Sequence, residues 1–296
     1  MIEIKNVSKT FGSLKALDDV SFKVEKGDVF GVIGQNGAGK STLFRCIMNF
    51  FDDYDGSITY EGRPIKDTPL EKIGFLPEER SLSPKKTIDQ EIRYFAKLNQ
   101  MDKIPDEELN RWFDRFEIKG KLTDKIKSLS KGNQQKVQLL AAVIYKPDFV
   151  ILDEPLSGLD PYNIRLLEDI IKELNAMGMT ILFSSHNMEN VEALCNKLVM
   201  IKDGRIVLNG TPNDIRNSFP REKVLVETDK DLLPIIDGKV KSYTKDGDFW
   251  HIYLNEPEDS KEIYELINSN VGFVSQFSQA APSLNEIFAK VVESHE

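Results

Sequence analysis

Three kinds of feature are scarce in this sequence, and each scarcity closes a class of function. Cysteine occurs only at Cys46 and Cys195, each inside an apolar, helix-like stretch (FRCIM and EALCNKL). Neither a disulfide scaffold nor a cysteine metal frame can be built from them, and they read as reduced packing thiols of a cytosolic protein. No apolar run approaches the roughly 18 residues needed to cross a bilayer. The opening MIEIKNV is strand-like and carries an acid early, unlike a secretory leader. If the protein works at a membrane, another chain must do the crossing. Long Lys/Arg blocks are also missing: 39 basic residues against 48 acidic ones leave a formal net charge of -9. Nucleic acid is therefore not expected as a partner. No low-complexity segment or internal repeat is apparent.

What is present is an alternation of short apolar strands and longer helical patterns. IEIKNV, SFKV and VFGVIG precede a helix beginning near Lys40, and FVILDEP, a helix around Leu166 and TILFSS follow later. That order argues for an α/β fold with a mainly parallel sheet. From about residue 86 to 146 charged amphipathic helices (IDQEIRYFAKLNQ, DEELNRWFDRFEI) replace the pattern, with Pro105 and Asp106 as boundary and cap. They read as a helical subdomain hung on the α/β core. KLVMIKDGRIVLNG predicts a hairpin turning at Asp203 and Gly204. After Pro220 the order becomes strand, hairpin, helix, strand, helix, so the expected division is 1–219 for the main domain and 220–296 for a small α+β domain.

GQNGAGKST, comprising Gly34, Gln35, Asn36, Gly37, Ala38, Gly39, Lys40, Ser41 and Thr42, matches G-x-x-x-x-G-K-[ST] between a strand and a helix. Tight glycine-rich backbone turns N–H groups inward at phosphates, aided by the positive end of the following helix. Lys40 adds charge at the β- and γ-phosphates of a nucleotide, and Ser41 offers a hard oxygen to Mg²⁺. FVILDEP then carries Asp153 and Glu154 to the carboxyl end of a buried strand, the edge where α/β sheets bind ligands. There Asp153 is placed to hold Mg²⁺ through water and Glu154 to polarise an attacking water.

In kind and order these motifs resemble the ATP-binding subunits of ABC transporters over roughly residues 1 to 218. The series runs from Phe11 through the phosphate loop, the strand IGFLPE, the Ser-Gly stretch LSKGN, ILDEP and SGLD to a histidine after TILFSS. The resemblance implies a P-loop NTPase cassette of the ABC type that binds ATP with Mg²⁺ and hydrolyses it. It also implies two copies, the same chain or a related one, facing head to tail. Ser130 and Gly132 of one copy would then meet the γ-phosphate held by the other, while Asp160 in SGLD couples the two sites. His186 would contact the γ-phosphate. Phe11 would stack on adenine, although a lone aromatic also reads as core packing, and Ser130 also reads as a simple helix cap. His251 and His295 read as structural or surface groups.

Two positions depart from the family pattern. Lys131, Gly132 and Asn133 stand where Gly-Gly-Gln is usual, and Glu78 stands where a glutamine touches Mg²⁺. LPEER, LSKGN and the closing SLNEIF are most similar to the branch that extrudes sodium, drugs or peptides. The partner this implies is a separate membrane permease, received near Thr87 to Leu98, with the chain held at the inner face of the cell membrane. The last domain reads as a brace for the dimer. The alternative is a soluble ABC ATPase acting on ribosomes or DNA, against which stand a single cassette, no heptad run and an acidic balance.

Overall fold

The computed structural model describes residues 1–293. They form two compact units, the first Met1–Thr211 and the second beginning at Pro212. The first opens with β1 (Ile2–Phe11), β2 (Leu14–Val24), β3 (Val29–Ile33), α1 (Lys40–Ile47), β4 (Asp55–Tyr60) and the short β5 (Arg63–Pro64). β6 (Ile73–Leu76), α2 (Ile88–Leu98), α3 (Asp106–Arg115) and α4 (Lys131–Val143) follow. It closes with β7 (Phe149–Leu152), α5 (Pro161–Ala176), β8 (Thr180–Ser185), α6 (Met188–Leu194), β9 (Lys197–Lys202) and β10 (Arg205–Gly210).

IEIKNV and SFKV do not join the parallel sheet. They belong to β1 and β2, which pair antiparallel in a separate sheet ordered β2-β1-β4-β5. The connection decides this. Only Gly12 and Ser13 separate the two strands, enough for a hairpin but not for the dozen or so residues of a parallel crossover. The second sheet has the order β10-β9-β3-β8-β7-β6, with β3 and β6 to β9 parallel and β10 antiparallel at one edge. Every residue of β3, β7 and β8 is buried, as strands covered on both faces require. The carboxyl ends of the parallel strands lie along one edge, so the segments starting at Gly34, Pro77, Asp153, His186 and Asp203 emerge together.

Between β6 and β7 the helices form as their periodicity predicts. α2 starts in a capping box of Thr87 and Gln90 and buries Ile88, Ile92 and Ala96, one face at four-residue spacing. In α3 the cap is Pro105, not Asp106. Asp106 is the first helical residue, and its carboxylate receives the Arg93 guanidinium at 2.5 Å.

The second unit contains α7 (Pro212–Asn217), β11 (Lys223–Glu227), α8 (Leu233–Ile236), β12 (Ser242–Asp246), β13 (Phe249–Tyr253), α9 (Ser260–Val271), β14 (Gln276–Ala280) and α10 (Leu284–Glu293). Its antiparallel sheet has the order β12-β13-β11-β14 around a core of Val224, Val226, Trp250, Ile252, Ile263 and Ile267. The division falls a few residues before the boundary read from Pro220 because α7 packs on α10.

Candidate functional site

The loop between β3 and α1 has its shape because two of its glycines sit where no side chain fits. A Cβ on Gly34 would come within 2.4 Å of the Ile201 carbonyl oxygen, and one on Gly39, at φ 113°, within 2.6 Å of the Ala16 carbonyl oxygen. Gly39 leads directly into α1, whose start no side chain caps. The first N–H groups of that helix are thereby left for an anion. Lys40 is only 6% exposed and folds back over the loop, its ammonium donating to the carbonyls of Gly34 at 2.7 Å and Gln35 at 3.1 Å. Ala38 lies buried behind the loop, its N–H on the Gln35 carbonyl at 3.1 Å.

In front of this loop lies a cavity of about 490 Å³. Asn36, Gly37, Gly39, Lys40, Ser41 and Thr42 form its floor, and Glu78, Asp153, Glu154 and Asp203 enter from the ends of β6, β7 and β9. Phe11, Leu14, Lys15 and Ala16, brought from the antiparallel sheet, close the side. Phe11 is 42% exposed and meets Phe51 edge-on at 5.3 Å. The Lys9 ammonium, itself paired with Asp53, sits 4.8 Å from the Phe11 ring centre. Carboxylates outnumber ammonium groups around the cavity, and Lys15 is already paired with Asp18. The hydrogen bond from Lys15, with that from Arg205, holds the Asp18 carboxyl below the usual carboxylate range.

Two acids dominate the chemistry. Asp153 is buried and accepts the Ser184 hydroxyl at 2.6 Å, and the same oxygen of Ser184 accepts the Glu154 N–H at 2.8 Å. Glu154 is also buried, with a positive φ of 50°, a backbone region that a non-glycine residue occupies only when its surroundings hold it there. One oxygen, Oε2, lies 2.9 Å from His186 Nδ1. An ionised carboxylate can only accept, so Nδ1 carries the hydrogen of that contact. The other oxygen, Oε1, is buried without a hydrogen-bond partner among the described residues. Such an atom is an acceptor in need of a donor.

Ser41, Glu78 and Asp153 present hard oxygens to the same cavity. Among the described residues no three His, Cys, Asp or Glu side chains form a cage. A hydroxyl with one or two carboxylates beside a phosphate loop is a donor set that fits Mg²⁺, which is held by few carboxylates together with substrate phosphates and water.

Ser130, Gly132 and Asp160 do not line this cavity. Ser130 caps α4 and Asp160 caps α5, accepting the Asn163 N–H at 3.0 Å and its side-chain amide at 2.6 Å. Those bonds from Asn163, the backbone one foremost, hold the Asp160 carboxyl below its ordinary range. The two caps are neighbours, since a Cβ on Gly132 would lie 3.4 Å from Leu159. His251 is half-buried in β13, and His295 lies outside the described residues. Both cysteines are buried thiols, and burial pushes Cys46 up to about 11 and Cys195 higher still.

Sequence reading missed the residues that hold these groups in place. Ser184 bridges both acids, and the doubled serine before His186 was its only signal. Gln138 donates to the carbonyls of Pro77 and Glu79 at 3.1 and 3.2 Å, bracketing Glu78, and Gln135 donates to that of Pro155 at 3.1 Å. Both lie in the part of α4 that is buried all round, from Gln135 to Val143, where a glutamine in sequence looks like a surface residue.

Residues 17–157 match a family model described as ABC transporter, and 210–292 match one described as the C-terminal domain of DrrA1-3-like ATP-binding proteins. The uncharacterised ABC transporter ATP-binding protein YhaQ of Bacillus subtilis is 40% identical over 99% of this chain and 98% of its own length. The linearmycin resistance ATP-binding protein LnrL of the same organism is 34% identical over 73% of this chain and 70% of its own. A solved ATP-binding subunit of an ABC transporter superposes with a TM-score of 0.67, 31% identity, and coverage of 74% of this chain and 93% of that one. The ATP-binding cassette MJ0796, a dimer bound to ADP and phosphate, shares the fold, with a TM-score of 0.64 at 22% identity over 71% of this chain and 98% of its own.

Proposed function

The chain belongs to the family of ABC transporter ATP-binding subunits, which hydrolyse ATP to power transport, and on that premise we propose how its residues do this work and in which direction. The phosphate loop and the start of α1 receive the β- and γ-phosphates, with the Lys40 ammonium among them. Phe11 stacks on the adenine at the open side. Ser41, Asp153 and Glu78 hold Mg²⁺, which neutralises phosphate charge when bound. Glu78, a carboxylate where the family has a glutamine, makes turnover depend more strongly on Mg²⁺ than a glutamine would.

Glu154 is the observation that carries the catalytic reading. Its Oε1 is a buried acceptor without a partner among the described residues, and Glu154 lines the phosphate cavity in a held backbone conformation. A water there gives its proton to Oε1 as its oxygen bonds to the γ-phosphorus, and the bridging oxygen leaves with ADP. His186 fixes the carboxylate through Oε2, and its side chain is otherwise 58% exposed. Ser130 and Gly132 act on the ATP of a second copy, and Asp160 links the two sites.

The permease-bound chain sits on the inner face of the membrane and drives solute outward. The resistance role in the name of LnrL supports that direction. Among the described residues no helix is long and apolar enough to cross a membrane, which agrees with a separate membrane partner. The second unit braces the dimer. Affinity purification of the tagged chain from membranes in mild detergent tests the assignment. A multi-span membrane protein is expected to co-purify, whereas recovery with ribosomes or nucleic acid and no membrane protein would favour a soluble ATPase.

A further inference from the structure

Asn133 stands where this family usually has glutamine, and its half-buried side chain is held by hydrogen bonds at both ends. Its Oδ1 accepts the Lys119 backbone N–H at 3.1 Å. A backbone donor cannot face an amide nitrogen, so this contact fixes which end of the Asn133 side chain points where. The Nδ2 end therefore faces Ser130 and donates to its hydroxyl oxygen at 3.1 Å. The Asn133 backbone N–H donates to the same oxygen at 3.3 Å.

A serine hydroxyl has two acceptor lone pairs and one hydrogen. Both lone pairs of Ser130 are taken by Asn133, and among the described residues no acceptor meets the hydrogen. Ser130 is exposed, and the turn before it is clamped by Gln134, whose amide donates to the Leu129 carbonyl at 3.1 Å and that of Ile126 at 3.3 Å. We propose that Asn133 is a positioning residue that saturates Ser130 as an acceptor and so presents its hydroxyl hydrogen outward as a ready donor to the γ-phosphate of a second copy. A simple helix cap uses the backbone N–H alone. Here the side-chain amide removes the freedom of the hydroxyl to turn and accept instead, so little orientation is lost when the two copies close. The inference rests on the reading of Ser130 as a γ-phosphate contact.

The test is ATPase kinetics of the full chain at a concentration that saturates activity, for Ser130→Ala, Asn133→Ala, Asn133→Asp and the double variant Ser130→Ala/Asn133→Ala. Asn133→Ala is expected to lower kcat roughly three- to ten-fold, the scale of one hydrogen bond, with KM for ATP nearly unchanged. Asn133→Asp should lose more, because its carboxylate accepts the Ser130 hydrogen and turns it inward. Adding Asn133→Ala to Ser130→Ala should cost nothing further. Wild-type kcat in Asn133→Ala beside an impaired Ser130→Ala overturns the proposal. So does a loss repeated in full on the Ser130→Ala background, which is what a folding defect or a role through the Lys119 loop would give. Wild-type turnover in Ser130→Ala itself is a different failure: it removes the phosphate role of Ser130, and this inference with it.

Discussion

At the scale of single residues the site depends on where hydrogens can go. Glu154 has one oxygen committed to His186 and one without a protein partner among the described residues. Glu154→Gln keeps the volume but removes the proton acceptor, so turnover should fall about a hundred-fold or more while ATP affinity stays close to that of the native chain. Steady-state hydrolysis beside equilibrium binding of ATP measures both, and near-normal turnover would take the general-base role away from Glu154. Ser184 is fully buried and serves Asp153 and Glu154 through one oxygen. Ser184→Ala leaves the Glu154 N–H unpaired and Asp153 free to rotate, at a cost of about 1–3 kcal/mol in stability. A thermal melt reads that cost. An undiminished kcat in the same variant would show that Ser184 supports the fold without orienting the acids.

At the scale of an element, α10 shows how a helix is tied to its sheet by its first turn. Ser283 and Glu286 form a reciprocal box, the Glu286 N–H on the Ser283 hydroxyl at 3.2 Å and the Ser283 N–H on the Glu286 carboxylate at 2.7 Å. The same carboxylate accepts Lys223 of β11 at 3.0 Å and the Tyr253 hydroxyl of β13 at 3.3 Å. Burial works to raise the Glu286 pKa, but the Ser283 N–H and the Lys223 ammonium together hold it below the ordinary value. A carboxyl with a lowered folded-state pKa stabilises the fold above its unfolded pKa, and that stability is lost as pH falls through the folded value. Replacing Glu286 by Gln should therefore destabilise the second unit at neutral pH, with the difference from the native chain closing below the usual carboxylate range. Denaturant titrations at several pH values, followed by Trp250 fluorescence from the core of that unit, would show it. A pH-independent difference would mean that the charge of Glu286 contributes nothing.

At the scale of the whole molecule, the residues proposed to act on ATP fall in two places that one chain does not bring together. The phosphate loop, Asp153 and Glu154 line one cavity, and Ser130, Gly132 and Asp160 do not reach it. Catalysis that needs both sets needs a second copy. Specific ATPase activity should accordingly rise with protein concentration before levelling off, and the Glu154→Gln chain with ATP should run at dimer mass in light scattering. Specific activity that is already maximal and flat at the lowest concentrations would mean that one chain hydrolyses ATP by itself.

The sequence by itself determined the phosphate loop, the acids at the end of a buried strand, the capped helices and the order of motifs, because spacing along the chain governs these local features. Gly34 and Gly39, Asp153 and Glu154, and the Ser130 cap are all legible that way. Reading β1 and β2 into the parallel sheet passed over two signals, their apolar alternation against the unbroken apolar runs within β3, β7 and β8, and a connection too short for a crossover. The tertiary structure alone decided which polar side chains hold the site. Ser184 and Gln138 are plain in the sequence and Asn133 shows there only as a departure from the family signature; they matter because folding sets each within hydrogen-bond reach of the groups it holds. It also decided which motifs share a cavity. That Lys40 lines it and Ser130 does not is a matter of distance in space, which the spacing of residues along the chain does not carry.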